Sequence, residues 1–351
     1  MLSPDRGLRV AVVGATGMVG QEMFRVLEQR RFPVGELKAL ASERSAGSRI
    51  AWYGGGVPVQ PLGERSFEGV DVALFSAGAG ASRMHAPVAV AAGALVIDNS
   101  SAWRMTDGVP LVVPEVNGDD LRTAEGIVAN PNCCAIPLTV VLEPLRRAAG
   151  LERVVVSTYQ SASGAGRGLV DELQEQTRAI AAGGRPEARE YPHPLAMNVV
   201  PGGWPMEDGG SNEEEVKIVA ETRKILHLPE LPVVATCVRV PVPVGHGEAV
   251  FVETERPLGV DEARAILRAA PGVVVQDGPG DQDYPTPAAV AGTDEVFVGR
   301  IRRDPSTRHG LALWIVSDNL RKGAALNAVQ IAERALELGK VGLEEGVMRH
   351  A

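Results

Sequence analysis

The chain of 351 residues is 45% apolar and 23% charged, an ordinary balance for a globular protein with room for two domains. Its net charge of −9 argues against a nucleic-acid partner, so an anionic substrate would need local arginines to hold it. We expect no secretory signal at the start of the chain, and the apolar run over residues 87–97 is too short to span a membrane. Three cysteines, two of them adjacent, form a poor disulfide framework and favour a reducing cytoplasm.

The first 30 residues carry a pattern typical of dinucleotide binding. A β-rich run over residues 8–13 ends in a glycine turn, and an amphipathic helix follows. Glycines let the backbone approach a pyrophosphate, which then rests on the helix N-terminus. Two residues rather than one separate the first two glycines of the turn, but its setting still predicts a cofactor site. We expect contacts from Gly14, Ala15, Thr16, Gly17, Met18 and Val19.

A second strand, over residues 37–41, ends where such folds recognise the adenosine ribose. An acidic residue there binds a free 2′-hydroxyl, whereas arginine with serine suits a 2′-phosphate. Glu43 and Arg44 are both present, so the residues leave the choice open. We favour NADP, with Ser42, Arg44 and Ser45 as its contacts.

Two further strands are expected over residues 70–75 and 94–97. Sites in open parallel sheets lie at the carboxyl ends of the strands, so the turns that follow both strands should face the site. The first turn offers Ser76, Ala77 and Gly78 to the cofactor, and the second delivers Arg104, a candidate anion clamp. We expect residues 111–113 and 127–128 to complete this sheet.

The sequence Asn130-Pro131-Asn132-Cys133 leads into a helix expected over residues 133–149. Asn132 is a good N-cap, and Pro137 is tolerated in the first turn. A thiol at this place would meet unpaired N–H groups and the positive end of the helix dipole, which both favour the nucleophilic thiolate. A buried cysteine that merely packs is the competing interpretation.

The remainder of the chain predicts a mixed α+β second domain. Arg239 stands in an apolar strand, where its charge needs a partner, and His246 lies between two glycines. The loop over residues 202–210 could be a lid, an interface arm or a linker. A last helix, reaching residue 338, is expected to return to the first domain. We expect strands over residues 153–161, 233–240, 249–253, 296–301 and 311–317, with 233–240 and 249–253 as neighbours.

In their joint order these motifs resemble the bacterial aspartate-β-semialdehyde dehydrogenases over essentially the whole chain. The resemblance rests on the glycine turn, the segment of residues 99–104, the cysteine turn and four later segments: Tyr159-Gln160 with residues 163–166, Glu214 with Lys217, Arg239 with residues 245–247, and Asp318-Asn319-Leu320. It implies an α/β fold like that of glyceraldehyde-phosphate dehydrogenase. A Rossmann-type NADP-binding domain would comprise residues 1–132 and 320–351, and a mixed α+β catalytic and dimerisation domain residues 133–319.

The activity that the resemblance implies is NADP-dependent reductive dephosphorylation of β-aspartyl phosphate to aspartate semialdehyde, on the path to lysine (through diaminopimelate), methionine and threonine. Cys133 would be the nucleophile, His246 the acid and base, and Gln160, with Asn132 beside the nucleophile, would complete the catalytic set. Arg239 would bind the substrate carboxylate, Glu214 its ammonium group, and Arg104 with Lys217 the phosphate. Ser163, Gly164 and Asn319 would also contact the cofactor. The resemblance implies no metal, and a homodimer or a dimer of dimers.

One departure and several alternatives accompany this resemblance. The family usually has serine or threonine after the nucleophile, where this chain has Cys134. N-acetyl-γ-glutamyl-phosphate reductase is the nearest rival, although an acetylated substrate has no ammonium group for Glu214, and glyceraldehyde-phosphate dehydrogenase is a weaker one. A nucleotide-binding sensor that lost the chemistry, or a redox protein using the cysteine pair, would explain the sequence less well.

Overall fold

The computed structural model describes residues 7–342, and the chain divides into two compact units. One unit is Met1–Pro131 with Ala324–Ala351, and the other is Asn132–Gly323. The sequence places these boundaries after residue 132 and before residue 320. Residues 1–6 and 343–351, which it assigns to the first domain, lie outside the described residues.

A seven-stranded sheet forms the centre of the first unit, in the order β3-β4-β2-β1-β5-β6-β7. Its strand pairs are parallel except for the antiparallel pair of β3 and β4. Leu8–Val13 (β1) lies near the middle and is almost continuously buried, as expected for a parallel strand covered on both faces. The other strands are Val34–Ala41 (β2), Arg49–Trp52 (β3), Gly55–Pro61 (β4), Val72–Phe75 (β5), Leu95–Asp98 (β6) and Ile127–Ala129 (β7).

Helices of the first unit pack on this sheet through their apolar faces. Met23 and Phe24 of the first helix are fully buried in one core with Leu326 and Ile331 of the last, and burial of each such side chain stabilises the fold by about 1.5–3 kcal/mol. The last helix therefore belongs to the first unit, as the sequence predicts. The helices are Met18–Gln29 (α1), Gly78–Ala91 (α2), Pro114–Asn117 (α3) and, from the end of the chain, Leu326–Glu337 (α9).

The first sheet differs from the sequence expectations in two places. Residues 111–113 form no strand, because Leu111 makes an isolated bridge to Ala129 and the chain turns into α3 at Pro114. The antiparallel pair β3 and β4 at the sheet edge was not expected. Its four-residue first strand and the glycines at the start of its second give little hydrophobic alternation to detect.

A six-stranded mixed sheet forms the second unit, in the order β11-β12-β13-β10-β8-β9. Its strands are Arg153–Gln160 (β8), Val233–Arg239 (β9), His246–Glu253 (β10), Val273–Val275 (β11), Val296–Asp304 (β12) and Gly310–Ser317 (β13). Its helices are Ala135–Ala149 (α4), Arg167–Ala181 (α5), Glu213–Ile225 (α6), Val260–Ala269 (α7) and Pro287–Val290 (α8). The expectation that β9 and β10 are neighbours is wrong, because β8 lies between them, parallel to β9 and antiparallel to β10.

The two faces of this second sheet differ in character. Side chains alternate along each strand, so Gln160, Arg239, His246 and Glu248 share one face. All four are buried. The opposite face carries Tyr159 and its neighbours, and it is partly exposed. We call these the inner face and the outer face of the second sheet.

No helix among residues 7–342 combines the length and hydrophobicity needed to cross a membrane.

Candidate active site

The turn that carries the two cysteines is fixed by the side chain of Asn132. Its Oδ1 accepts hydrogen bonds from the N–H groups of Cys134 at 2.8 Å and Ala135 at 3.4 Å and so orders the turn before the helix, although Asn132 is not the N-cap that the sequence predicts. The helix α4 starts at Ala135 rather than at Cys133, and its N-cap position is occupied by Cys134, which makes no side-chain cap hydrogen bond. Cys133 is therefore placed on the capping turn, half-buried, while Cys134 is fully buried.

Cys133 and His246 face each other in the second unit. The Sγ atom of Cys133 lies 3.4 Å from Nε2 of His246. The backbone N–H of Ser161 donates to Nδ1 of the same ring at 3.0 Å, so Nδ1 acts as an acceptor and the ring proton is on Nε2. His246 can therefore donate a hydrogen bond to the cysteine sulfur, which favours the thiolate.

Several groups hold the pKa of the Cys133 thiol well below its usual value. A hydrogen bond from the Cys134 thiol has the largest effect and lowers the pKa; burial opposes it, and His246 and Arg239 lower it further. Specific neighbouring side chains thus lower the pKa of Cys133, in addition to the helix N-terminus that the sequence suggests. The lowered pKa favours the thiolate, which is the form that attacks carbonyl groups.

A cluster of carboxylates and amides lies beside the nucleophile. Oε1 of Glu214 accepts from Nδ2 of Asn132 at 2.8 Å and from Nε2 of Gln160 at 3.0 Å. Glu221 accepts from the N–H of Asn132 at 2.6 Å. These buried bonds fix the orientation of the turn and of Gln160, so the structure brings together Asn132, Gln160 and Glu214 as the sequence predicts.

Arg239 is 2% exposed at the end of β9. Its Nη1 donates to the carbonyl of Ser161 at 2.8 Å, and the guanidinium lies over the ring of Trp204, 4.8 Å from the centroid, and near that of Tyr191. Its Nε has no hydrogen-bond partner within the described part of the chain. A buried guanidinium with an unused N–H is suited to bind an anionic group by a charge-assisted hydrogen bond.

Asn319 ties together the loops around His246. Its Oδ1 accepts from Ser161 Oγ at 3.0 Å and from the N–H of Gly245 at 2.8 Å, and its Nδ2 donates to Ser163 Oγ at 2.9 Å. Asn319 and Ser163 are both buried in this network. Their expected contact with the cofactor remains a prediction.

Gly164 lies against Arg239 and His246. A Cβ atom added there would stand 2.8 Å from Nη1 of Arg239 and 3.2 Å from Cε1 of His246. Any side chain would therefore displace one of these groups. Glycine is required here for packing in the site, whatever its part in cofactor binding.

Lys217, a predicted phosphate ligand, is engaged by carboxylates of its own helix. Its Nζ lies 2.6 Å from Oε1 of Glu213 and 3.9 Å from Oε2 of Glu214. The ammonium group thus shares a helix face with Glu214, as the spacing of three residues predicts.

Arg104 is buried in the first unit and held by backbone carbonyls. Its Nε donates to Asn130 at 3.0 Å and its Nη2 to Asn99 at 2.9 Å. The segment of residues 99–104 therefore positions a guanidinium rigidly, as a phosphate clamp requires.

The glycine turn of the first unit fits a dinucleotide. Gly14 has φ +83°, and a Cβ there would collide with the carbonyl of Ser76. The N–H groups of Gly14 and Ala15 bond to the carbonyl of Leu40, while Gly17 stands as N-cap of α1 without a side-chain cap. The first N–H groups of α1 are thus left for a ligand such as pyrophosphate, next to Thr16, Met18 and Val19.

The predicted adenosine and nicotinamide contacts lie on two other loops of this unit. Ser42 and Arg44 are exposed around a short 3₁₀ turn, and Ser45 is joined to the glycine turn by a hydrogen bond from Thr16 Oγ1 at 3.4 Å. Ser76 and Ala77 precede α2, which begins already at Gly78. Of the three residues that the sequence assigns to this turn, Gly78 is therefore already the first residue of the helix.

Sequence reasoning missed three residues of the site. Glu221 lies seven residues after Glu214, a helical spacing that puts both on one face of α6. Glu248 follows His246 by two residues on β10 and so shares the inner face, where it is 1% exposed. Trp204 comes from the loop over residues 202–210, and no local signal connects it to Arg239.

Comparison with known proteins agrees with this geometry. Residues 9–124 match a family model described as semialdehyde dehydrogenase, NAD binding domain, and residues 142–322 match semialdehyde dehydrogenase, dimerisation domain. The first unit is thus a nicotinamide-dinucleotide-binding domain.

Individual relatives agree over nearly full length. An aspartate-semialdehyde dehydrogenase of Aquifex aeolicus is 50% identical over 95% of this chain and 100% of its own. The structure of aspartate semialdehyde dehydrogenase II from Vibrio cholerae, complexed with ASA, has a TM-score of 0.92 and 45% identity over 94% of this chain and 98% of its own. That of the Candida albicans enzyme with NADP has a TM-score of 0.70 and 26% identity over 93% and 98%. The chain belongs to the aspartate-semialdehyde dehydrogenase family.

Proposed function

We propose that this chain catalyses the NADP-dependent reductive dephosphorylation of β-aspartyl phosphate to aspartate semialdehyde through a thioester on Cys133. The observation that carries the proposal is the half-buried Cys133 sulfur 3.4 Å from Nε2 of His246, beside a buried arginine and a buried glutamate. The Vibrio cholerae relative, described as complexed with ASA, supports the same substrate.

The first step is attack of the Cys133 sulfur on the acyl carbon. The C–O bond to phosphate breaks, phosphate leaves with the electron pair, and a thioester remains. Arg104 and Lys217 would hold the phosphate group. When bound, the dinucleotide supplies a hydride to the thioester carbonyl.

The second step returns the sulfur to its thiolate form. The tetrahedral oxyanion collapses to the aldehyde, and the C–S electron pair goes back to Cys133. The Nε2–H of His246 lies at the sulfur and can stabilise charge there, and the ring can exchange protons with the substrate oxygen. The Cys133 N–H is the proposed oxyanion donor.

Substrate recognition follows from the charges around the nucleophile. Arg239 would bind the α-carboxylate and Glu214 the ammonium group, while Gln160 and Asn132 hold the reacting centre in place. These interactions suit a free amino acid. The rival N-acetylated substrate has no ammonium group for Glu214 to bind, and the relatives do not favour it.

NADP rather than NAD is proposed from the loop after β2. Arg44 is exposed there and Ser45 is anchored to the glycine turn, so both can reach a 2′-phosphate. The Candida albicans relative, described as a structure with NADP, supports the choice. Further contacts are proposed to complete the cofactor site: Ser76, Ala77 and Gly78 after β5, and Ser163, Gly164 and Asn319 in the second unit.

A homodimer is proposed through the second unit, because the matched family model is a dimerisation domain and the outer face of the sheet is apolar and partly exposed. Phe251 is 41% exposed and Tyr159 37%. A cavity of about 580 Å³ opens on this face between Tyr159, Phe251, Tyr284 and Trp314. The three free cysteines fit a reducing, cytoplasmic setting.

The test is the oxidation of aspartate semialdehyde by NADP in the presence of phosphate. We expect turnover that requires phosphate, a kcat/KM at least about tenfold lower with N-acetylglutamate semialdehyde, and none for Cys133→Ala although that variant still binds NADP. Preference for the acetylated aldehyde would contradict the proposal.

The cofactor choice is tested by the ratio of kcat/KM for NADP to that for NAD. Arg44→Ala should lower this ratio about tenfold or more. Arg65→Ala, which removes an exposed arginine paired with Glu68, is the matched control and should leave the ratio unchanged. An unchanged ratio in Arg44→Ala would overturn the assignment of the 2′-phosphate contact.

A further inference from the structure

The buried guanidinium of Arg239 contacts aromatic rings rather than a carboxylate. Its central carbon lies 4.8 Å from the ring centroid of Trp204 and 5.6 Å from that of Tyr191. No carboxylate among residues 7–342 forms an ion pair with it, and its Nη1 donates to the carbonyl of Ser161. A buried charge needs stabilisation from its surroundings, and here the two rings supply part of it.

The aromatic contacts leave the charge and the hydrogen-bonding capacity of the guanidinium available. A cation is attracted to the face of an aromatic ring by the ring quadrupole, and this contact uses up no N–H donor. The Nε of Arg239 indeed has no hydrogen-bond partner within the described residues. A carboxylate in place of the rings would neutralise the charge and occupy such donors. The site thus keeps a buried arginine ready for an anionic ligand.

Tyr191 is fixed beside this guanidinium by buried side chains of α5. Oε2 of Glu172 accepts a hydrogen bond from the N–H of Glu190 at 2.7 Å. Oε1 of Gln176 accepts from the N–H of Leu195 at 2.8 Å. The chain is therefore tied to one helix before and after Tyr191, whose side chain is buried in a small apolar core.

Tyr191 in turn fixes the start of the loop over residues 202–210. Its Oη donates a hydrogen bond to the carbonyl of Gly202. Gly203 has φ +91°, and a Cβ atom there would collide with the phenol ring. The ring of Trp204 then packs edge-on against that of Tyr191, with an interplanar angle of 89° and centroids 6.3 Å apart.

Backbone hydrogen bonds anchor the same loop on both sides of the tryptophan. Val200, just before the loop, exchanges hydrogen bonds of 2.8 and 2.9 Å with Arg239. The carbonyl of Pro205 accepts from the N–H of Glu213, the first residue of α6, at 2.8 Å. Trp204 is half-buried, so its ring has a defined place between the guanidinium and solvent.

We propose that Trp204 is a positioning residue for the substrate carboxylate: its ring, backed by that of Tyr191, holds the guanidinium of Arg239 in place and excludes water from it. The inference deepens the function proposed above and rests on it for the substrate, an amino-acid aldehyde whose α-carboxylate Arg239 would bind. The carboxylate displaces no acidic partner when it binds, because rings hold the charge. Trp204 acts through Arg239 and has no part in bond breaking.

The first measurement is the steady-state oxidation of aspartate semialdehyde by NADP with phosphate. Trp204→Ala should raise KM about tenfold and leave kcat within about threefold, since the carboxylate is bound equally before and in the transition state. Trp204→Phe keeps a ring and should stay within about threefold of the parent KM. Trp204→Leu has apolar bulk without an aromatic face, is the matched control, and should resemble Trp204→Ala.

Two kinetic outcomes would overturn the proposal. Equal KM values for Trp204→Phe and Trp204→Leu would show that the aromatic face does not matter. A loss confined to kcat would show that Trp204 does not serve binding of the carboxylate. Trp204→Leu also takes the place of Trp204→Ala if the variant with the smaller side chain does not fold.

The same substitution in a chain that carries Arg239→Ala tests whether Trp204 acts through the arginine. With the guanidinium absent, Trp204→Ala should change KM by less than about twofold. A tenfold rise in both backgrounds would overturn the proposal, because Trp204 would then act independently of Arg239. Met206→Ala, at a methionine that is 67% exposed on the same loop, should leave KM unchanged.

The second measurement needs no turnover and so separates this inference from the proposed function. Phenylglyoxal modifies accessible guanidinium groups, and peptide mass spectrometry gives the rate at Arg239. Trp204→Ala should raise this rate about tenfold or more, because it uncovers a side chain that is 2% exposed, whereas Trp204→Phe and Met206→Ala should keep the parent rate. An unchanged rate in Trp204→Ala would overturn the proposal. Faster modification in a chain that fails to oxidise aspartate semialdehyde would keep this inference and reject the reaction.

Discussion

The two faces of the second sheet show how one set of strands can serve two purposes. On the inner face Gln160, Arg239, His246 and Glu248 are buried, polar and close to the nucleophile. On the outer face Tyr159 and Phe251 are apolar and left exposed. Successive residues point to opposite faces, so His246 and Gly247 belong to different surfaces.

Gly247 shows how closely the two faces are linked. A side chain there would collide with the indole ring of Trp314, which packs edge-on against Tyr159 with ring centroids 5.5 Å apart. Glycine after the histidine thus makes room for an aromatic cluster on the outer face. If the proposed roles hold, a single residue step along β10 separates the reacting groups from the dimer contact, and substitutions on each face should have separable effects.

The largest effect is expected from His246→Asn on the inner face. The variant loses the Nε2–H at the sulfur and the group that exchanges protons, so kcat should fall about 10²-fold or more. The shape of its pH–rate profile should also change, because the proton-exchanging group is gone. Measurement of kcat across pH 5–9 checks this, and a profile of unaltered shape would contradict the proton-exchange role.

Arg239→Lys should weaken substrate binding on the same face. Lysine keeps the charge but lacks the planar fork and the stacking on Trp204, so KM for aspartate semialdehyde should rise about tenfold to a hundredfold. Steady-state kinetics give the split between KM and kcat. A loss confined to kcat with normal KM would argue that Arg239 does not hold the carboxylate.

Phe251→Lys tests the outer face. A charge in an apolar interface should raise the dimer dissociation constant about a hundredfold, while alkylation of Cys133 keeps its rate. Analytical ultracentrifugation across concentration measures the dissociation constant and also shows whether dimers pair further. Met84→Lys, at a methionine that is 69% exposed on α2, is the matched control. Equal dissociation constants for the two variants would place the interface elsewhere.

Glu248→Gln should have the smallest effect, on stability. Burial raises the pKa of Glu248 in the folded chain. As the pH rises, the Glu248 carboxyl group therefore ionises first in the unfolded chain, and the free energy of unfolding falls. Below the pKa that Glu248 has in the unfolded chain, this loss of stability is absent. Above it, the free energy of unfolding falls by about 1.4 kcal/mol per pH unit until the pKa in the folded chain is reached.

Gln at position 248 removes this penalty. The melting temperature of the Glu248→Gln variant should therefore match that of the parent chain near pH 4 and exceed it at pH 8. Calorimetry at the two pH values checks this, and a difference that does not change with pH would mean that Glu248 has no raised pKa.

Local patterns predicted the first unit well because its function lies in contiguous segments. The strand, glycine turn and helix over residues 8–29 follow from alternation and glycine chemistry, and they stand as expected. The hydrogen bonds of Asn132 to the turn also follow from residue type, although the helix begins two residues later than predicted and its N-cap is Cys134.

The second unit exposed the limits of local patterns. Neighbouring strands could not be assigned from sequence order, because β8 enters between β9 and β10 through long-range pairing. Trp204 approaches Arg239 from an irregular loop, and Glu221 reaches Asn132 across α6; such contacts depend on tertiary packing rather than on spacing. Resemblance to a family supplied the roles of Glu214 and Arg239, which their own segments did not reveal.

The most direct test of the account is to trap the acyl group on the enzyme. The chain is mixed with aspartate semialdehyde and NADP without phosphate, quenched in acid, and the peptide carrying residues 132–134 is sequenced by mass spectrometry, with Cys134→Ser run in parallel. The account predicts an aspartyl thioester on Cys133 in both proteins, released when phosphate is added before the quench. An adduct on Cys134, or a reduced cofactor with no adduct at Cys133, would contradict it.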